Sequence, residues 1–540
     1  MTDQFHQETA GFHNWLKQNL DFLSDKFEIA DLRSSNEGRA LIATSDIEQD
    51  ETIFEISREK ILNIETSQLA TLNDGNNKEI LLNLGQWECL ILCLSFELMI
   101  GEKSKWFDYF KVMNKTFNTL VYWSDEELEY LKPSLVLDRI GKQQAEDMYK
   151  ILQGVITKDL KLDEFAKYLT LEKFHAVANL IMSYSFDADH SEQSEDDDEE
   201  EELESHHDHH QDAEEVEQAL NDEEEENEDD EDDEDDEDDE DDEEEEQTGV
   251  RFDPYLKSMV PLADTLNSNT TLFNATLGYQ NKSLVMKATK KILKGEQIYN
   301  IYGEQPNSEI LRRYGYVEVP NSKFEFAEIK LSNIKEFFIK NYTDISTPEL
   351  FESVIEIISN SEYLEESLED NEGGIVIDTY ECYFDGDSIP ELNLLVLILS
   401  TIYSSFEKDK KWFKKLYRTA KRKNTDFESF IKRVILKCYQ LLEMKYLTKS
   451  SEENFKKIIQ LRIDEYPSQI QDLKFTEDDK ISTRKEMADV VLTSELKCLK
   501  ETQAKNGGDY KIVEDEKLLK DVLKRKLDSE TKRSTKRTRI

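Results

Sequence analysis

The sequence predicts an α+β fold: a strand-rich half interrupted by helices, then an all-α half, with a long acidic insert inside the first. Three observations carry this. Strand-like alternation occurs in two blocks, residues 38–64 and 250–319. Apolar residues recur every three or four positions from Trp87 to Leu180, and again beyond Asn321 to about Glu501. Between the two strand blocks, Asp187 to Glu246 holds 41 Asp and Glu and no Lys or Arg.

That acidic stretch sets the charge of the whole chain. The 540 residues carry a net charge of −53, from 120 acidic and 67 basic residues. Without the stretch, 79 acids face 67 bases and the net charge is −12, so the rest is only mildly acidic. With almost no apolar residues the stretch cannot offset its own chain entropy, which predicts disorder over 187–248. A long surface insertion of this kind adds little closure entropy.

The elements follow in order. Residues 12–24 suggest a short amphipathic helix, and GRALIATSDIEQDETIFEISREKIL reads as a hairpin-like pair of strands. Residues 12–186 make a first part carrying a helical insertion at about 87–180, and 250–319 make a second part with strands and a turn at Lys294-Gly295-Glu296. Residues 322–502 form a helical domain, with stripes in FESFIKRVILKCYQLLEMKYL and FKKIIQLRIDEY. Residues 503–540 are polar, then basic.

Five cysteines form no CxxC pair; Cys89 and Cys93, four apart, read as two buried thiols on one helix face. This usage suits a reducing compartment without structural zinc. The longest apolar stretch, Leu392 to Tyr403, is far short of the roughly 20 residues that span a bilayer. The amino end, MTDQFHQETAGFHNWL, is polar and amphipathic rather than a targeting segment. A soluble, intracellular protein without a membrane partner is expected.

There is no GxGxxG after a strand, no Walker loop, no GxSxG and no HExxH. His206, His207, His209 and His210 lie in the acidic tract, where a solvated low-complexity run outweighs a metal site. The region dense in candidate chemistry is 259–319, MVPLADTLNSN followed by KKILKGEQIYNIYGEQPNSEILRRYGYVEV. Tyr302 follows a strand and precedes Gly303, which lets backbone come close and can leave a hydroxyl in a tight channel. By composition alone Tyr302 is a core residue.

The order of motifs reverses that reading. GRALIAT-x-DI-x-x-x-E, then Ser104-Lys105-Trp106-Phe107-Asp108-Tyr109-Phe110 with Trp123, then Ser183-Tyr184-Ser185-Phe186, then Val260-Pro261-Leu262-Ala263-Asp264 with Leu266-Asn267, then Asn300-Ile301-Tyr302-Gly303 and Arg313-Tyr314-Gly315-Tyr316 stand in sequence. Together they resemble the SET-domain lysine methyltransferases, in the branch that includes the Rubisco large-subunit methyltransferase and its fungal ribosomal-protein relatives. Arg462 to Ser468 and Met487 to Leu499 look like that branch's helical substrate-binding domain. NIYGEQPNSEILRRYGYVE is most similar to fungal members that monomethylate a zinc-ribbon protein of the large ribosomal subunit.

The resemblance implies a β-rich SET fold followed by an all-α substrate-binding domain, and an enzyme that moves a methyl group from S-adenosyl-L-methionine to a lysine. It implies Tyr302 as the catalytic residue. It implies Glu37, Gly38, Arg39, Tyr184, Asn267, Ser268, Tyr302 and Tyr314 at the cofactor, with backbone contacts from Glu37 to Arg39, and Trp106 and Ser185 at the substrate channel. Core packing competes with ligand contact at Trp106 and Tyr314. Ser268 stands where many members have His, which removes one adenosine contact. The implied partner is a basic protein, in first place one of the large ribosomal subunit and in second a histone or other nuclear protein. A silent scaffold binding basic proteins through the acidic tract is the rival from another class. The basic clusters at Lys524-Arg525-Lys526 and from Lys532-Arg533 onward read as a signal for a nuclear-import receptor, with a merely solubilising tail as the competing reading, hence a nuclear location with the cytoplasm as the alternative. Direct nucleic-acid binding is not expected, because the acidic tract repels phosphate.

Overall fold

Strands of two to six residues build two four-stranded sheets in the first half of the chain. In the computed structural model its strands are β1 (Phe22–Leu23), β2 (Phe27–Leu32), β3 (Gly38–Ala43), β4 (Thr52–Ser57), β5 (Ser185–Asp189), β6 (Tyr255–Met259), β7 (Asn267–Ser268), β8 (Ala275–Tyr279), β9 (Ser283–Ala288) and β10 (Gln297–Asn300). The structure describes residues 3–35, 37–189, 250, 254–280, 282–342, 348–360, 374–420, 425–477 and 479–523. The acidic tract from 190 to 249, its histidines and the basic tail from 524 therefore lie outside the described residues.

One sheet has the order β1-β4-β9-β8 and the other β2-β3-β10-β7, with β10 and β7 parallel. GRALIA and TIFEIS, expected as a hairpin, are β3 and β4 and belong to different sheets. The connection between them shows why: Ile47 is buried and exchanges backbone hydrogen bonds of 2.9 Å with Ile292, so a distant partner takes the segment. Alternation shows which face is buried but not which strand lies alongside. β5 pairs antiparallel with β6, Ser185 opposite Met259, so the acidic stretch opens as strand and Asp187 holds Lys257 at 2.5 Å. The expected start of disorder at 187 falls inside this strand.

The first helix is Gln4–Asn19, not 12–24. Asp3 caps it, its carboxylate accepting from the His6 N–H at 3.1 Å, and Leu20 is already extended. Helix Gln86–Ile100 is buried from Cys89 to Glu97, as expected for a helix apolar on every side. Its two cysteines are buried, and a hydrogen bond to Cys93 together with burial pushes the Cys89 thiol up.

Contacts divide the chain into two units. One comprises Met1–Thr116, Lys142–Ser268 and Phe273–Asn300, the other Phe117–Gly141, Asn269–Leu272 and Ile301–Ile540. Residues 301–321 thus group with the helices that follow them.

The second unit adds β11 (Phe326–Lys330) paired with β12 (Thr379–Tyr383), and β13 (Tyr446–Thr448) paired with β14 (Lys511–Val513). Its core surrounds helix Pro390–Lys408, in which every residue from Leu392 to Tyr403 is buried. Among the described residues no helix is long and apolar enough to cross a membrane. A smaller cluster packs Leu120, Trp123, Leu131 and Val136 against Leu311, Ala488 and Val491, so segment 117–141 shares a core with helices Asn307–Tyr314 and Arg484–Lys505. Arg139 grips Glu328 with both terminal nitrogens, at 2.8 and 2.9 Å, and Glu309 at 2.9 Å. Buried Arg462 donates to the carbonyls of Glu328 at 3.0 Å and Pro133 at 2.9 Å.

Glu325 gives this unit a pH dependence. It is buried, accepts from the N–H groups of Ser322 at 2.9 Å and Asn307 at 3.3 Å, and burial raises its carboxyl to about 8. The folded chain keeps a proton there that the unfolded chain releases near the ordinary value of 4.5. Its contribution to stability is therefore present below about pH 4.5 and is lost as pH rises through about 8. Groups held low, such as Glu486 at about 2, act on the acid side of this window. Urea midpoints between pH 5 and 8.5 should fall in the native chain and fall less steeply in Glu325→Gln, where other buried carboxyls such as Asp264 still titrate; an equally steep fall in the variant would assign the effect elsewhere.

Candidate functional site

In the first unit, three polar side chains meet beside the start of β3. Asn267 donates its amide to the Gln297 side-chain oxygen at 2.9 Å and to the Glu37 carbonyl at 3.4 Å. Gln297 donates to the Glu37 carboxylate at 2.8 Å and to the Tyr299 hydroxyl. The parallel pairing of β10 with β7 produces this meeting, since it sets Tyr299 opposite Asn267 and Asn300 opposite Ser268. Gly38 has φ +66°, and a Cβ built there would find no atom within 4 Å. The ground beside the three groups is open.

Arg39 points elsewhere. Its guanidinium donates to Thr9 Oγ1 at 3.0 Å, to the Val112 carbonyl at 3.1 Å and to the Phe5 carbonyl at 3.3 Å, and lies 3.9 Å from the Phe5 ring centroid. Burial holds its pKa down. The side chain fastens the first helix to β3.

Tyr184 and Ser185 sit where helix Leu171–Tyr184 becomes β5; the Ser185 N–H closes the helix on the Ile181 carbonyl. The Tyr184 hydroxyl accepts from the Asn114 amide, and burial pushes it up to about 12. Asp264 lies within electrostatic reach of it. Asp264 accepts a 2.5 Å hydrogen bond from Tyr109, and burial raises its carboxyl to about 7. Leu262, two residues before it, is held at φ +78°, unusual for a branched residue and a local strain at the head of the motif.

Trp106 is 0% exposed, and its indole N–H donates to the Lys60 carbonyl at 2.7 Å. It was expected in the substrate channel; its surroundings make it a core residue with its polar atom already satisfied.

In the second unit, the Tyr302 and Tyr314 rings pack at a tilt of 43° with centroids 4.8 Å apart, and the Tyr314 hydroxyl donates to the Tyr302 carbonyl at 3.3 Å. Tyr316 continues the row at 6.4 Å. Gly303 has φ +131°, a conformation that lets the chain turn directly after Tyr302. Burial raises the Tyr314 hydroxyl, so it is a neutral donor at physiological pH. Glu309, in the same helix as Tyr314, is held by Arg139 and by Arg312 at 2.7 Å, which fixes the helix carrying the tyrosine.

The structure thus joins Glu37 with Asn267 in one unit and Tyr302 with Tyr314 in the other, and buries Trp106. Sequence reasoning missed Gln297 and Asn114, and quoted Tyr109 and Asp264 without giving either a role. Gln297 had a weak signal, a polar residue sharing a strand face with Tyr299; Asp264 had a stronger one, a carboxylate among buried apolar residues.

A model of the SET domain matches residues 38–303. The chain is 37% identical over 545 residues to Ribosomal lysine N-methyltransferase 4 of Saccharomyces cerevisiae, covering 99% of each. It is 28% identical over 325 residues to N-lysine methyltransferase setd6 of Danio rerio, covering 58% of this chain and 57% of the relative. Among solved structures, the SET domain of LSMT bound to lysine and AdoHcy superposes with a TM-score of 0.56 at 16% identity, over 93% of this chain and 91% of the other. Rubisco LSMT bound to AdoMet gives 0.55, over 95% of each. At this identity the structural likeness bears on the fold.

Proposed function

Because the chain belongs to the SET-domain protein-lysine methyltransferases, we propose that it methylates a lysine of a large-subunit ribosomal protein with S-adenosyl-L-methionine. The observation that carries this reading is the 37% identity, end to end, with a ribosomal lysine methyltransferase.

The residues present suit such a cofactor. Two amides and a carboxylate converge beside open ground at Gly38, a set that matches hydroxyl and ammonium groups. Glu37, the Gly38 and Arg39 backbone, Tyr184, Asn267 and Ser268 would hold it. When bound, it supplies a sulfonium methyl group. The target amine must be neutral, and only about one lysine in a thousand is so near pH 7.4. Tyr302 orients that amine through its hydroxyl, and Tyr314 holds the Tyr302 ring in place. Alignment of donor and acceptor provides the acceleration, with no covalent enzyme intermediate.

Gln297 acts as a positioning residue, since it ties Glu37 to Asn267. Gln297→Ala should weaken cofactor binding about tenfold, equivalent to ~1.4 kcal/mol, with kcat changed far less. Calorimetry with S-adenosylmethionine reads the first quantity. An unchanged Kd would remove Gln297 from the cofactor's support.

The functional reading is tested by transfer of labelled methyl groups into ribosomal proteins from cells that lack such activity. Label in one small basic large-subunit protein supports it. Label only in histones, with none in ribosomal proteins, would overturn the substrate class while leaving the enzyme.

A further inference from the structure

From Lys408 to Lys423 nine of sixteen residues are basic and one is acidic, in a chain whose net charge is −53. Helix Lys410–Ala420 shows how the described part of this run is arranged. Its apolar side is committed to the core: Phe413 is 0% exposed and meets Phe406, Phe427 and Phe430 edge-on, with centroids 5.8, 6.2 and 5.9 Å away. Trp412 packs edge-on against Phe430 at 5.4 Å. Lys410, Lys411, Lys414 and Lys415 stand exposed on the other side, and Lys408, the last residue of helix Pro390–Lys408, is exposed as well.

The acids nearby are engaged. Glu407 pairs with Lys410 at 3.2 Å, and Asp409 accepts from the Trp412 N–H at 3.0 Å as the helix cap. On the neighbouring helix Thr425–Glu443, Glu428 pairs with Lys432 at 3.3 Å, and Asp426 stands in its first turn. Among the described residues no acid pairs with Lys411, Lys414 or Lys415.

The chemistry of this face selects its partner. A basic amphipathic helix that lies on a membrane needs its apolar side free, and here that side is buried. A protein partner needs an aromatic or aliphatic anchor at the centre of the contact, and the exposed positions here are lysines. A polyanion needs neither. We propose that the exposed face of helix Lys410–Ala420, with Lys408, binds the phosphate backbone of RNA. The choice of RNA among polyanions rests on the ribosomal reading above, which puts the substrate among RNA. The acidic tract argued against nucleic acid, but at physiological salt charges farther than about 8 Å are largely screened, so a local cluster governs local binding.

The test uses the full chain and a labelled single-stranded RNA, with anisotropy read between about 50 and 200 mM salt. The native chain should bind with a steep salt dependence. The triple variant Lys411→Glu, Lys414→Glu, Lys415→Glu should bind more than about tenfold more weakly, with the slope of log K against log salt reduced by about 2. The corresponding triple Lys→Arg variant should bind as the native chain does. Equal binding by native and Glu variants, or no salt-dependent binding by the native chain, would overturn the proposal. Binding that appears only after deletion of 190–247 would overturn it too, and would make the chain's own carboxylates the occupant. Methyl transfer to free ribosomal proteins, measured on the same variants, should be unchanged. Its absence in the native chain would defeat the substrate reading, whatever the RNA result.

Discussion

Replacing Tyr302 by Phe should lower kcat for methyl transfer by roughly 10²- to 10³-fold, the range found when one preorganised hydrogen-bonding group is removed from a reacting centre. The substitution isolates the hydroxyl. The ring packed against Tyr314 at 4.8 Å remains, and the Tyr314 hydroxyl donates to the backbone carbonyl of residue 302, which the change leaves in place. Folding should therefore be unaffected and the Kd for S-adenosylmethionine should stay within a few-fold. Single-turnover methyl transfer, with calorimetry for the cofactor, separates these quantities. A loss smaller than about threefold would take the hydroxyl out of the chemistry and return Tyr302 to a packing role.

The second large effect is on stability. Gly315→Ala should cost about 3 kcal/mol, combining a left-handed backbone penalty with overpacking. Gly315 has φ +78°, and a Cβ there would lie 2.7 Å from the Asn118 carbonyl carbon and 2.9 Å from the Thr119 nitrogen. Both are backbone atoms held from several sides. Asn118 donates to the Gly315 carbonyl at 3.0 Å and accepts from Arg484 at 2.9 Å, and its own carbonyl accepts from Trp123 at 2.9 Å. Gly38→Ala is the matched control, with a similar φ of +66° and nothing within 4 Å of the added carbon, so it should carry the backbone penalty alone, about 1–2 kcal/mol. Urea unfolding of the two variants side by side checks this. If Gly315→Ala proved no costlier than Gly38→Ala, segment 117–141 would not be pinned as its hydrogen bonds indicate.

Much of the candidate site could be read before any coordinates. Tyr302, Tyr314 and Asn267 stand in motifs whose order is specific even where each motif is weak, and Glu37 directly precedes the first of them. What could not be read was what each side chain touches. Arg39 belongs to a cofactor motif, yet its guanidinium holds Thr9, Val112 and Phe5. Trp106 belongs to the segment expected at the substrate channel, yet its indole is spent on Lys60. Gln297 belongs to none, yet it joins Glu37 to Asn267. Motif position constrains the path of the backbone, whereas a side chain's partner can lie far away in the sequence: Gln297 and Glu37 are 260 positions apart.

The fold divides along the same line. By itself the sequence determined the alternation of strand and helix, the acidic tract and the buried thiols Cys89 and Cys93, because composition and periodicity are local properties that local physics reads directly. Only the tertiary structure decided that GRALIA and TIFEIS enter separate sheets, that β7 runs parallel to β10, and that residues 117–141 share a core with Leu311 and Val491. Strand pairing and core membership depend on which distant surfaces bury each other, and a period of two or of 3.6 residues states that a face is apolar without stating what will cover it.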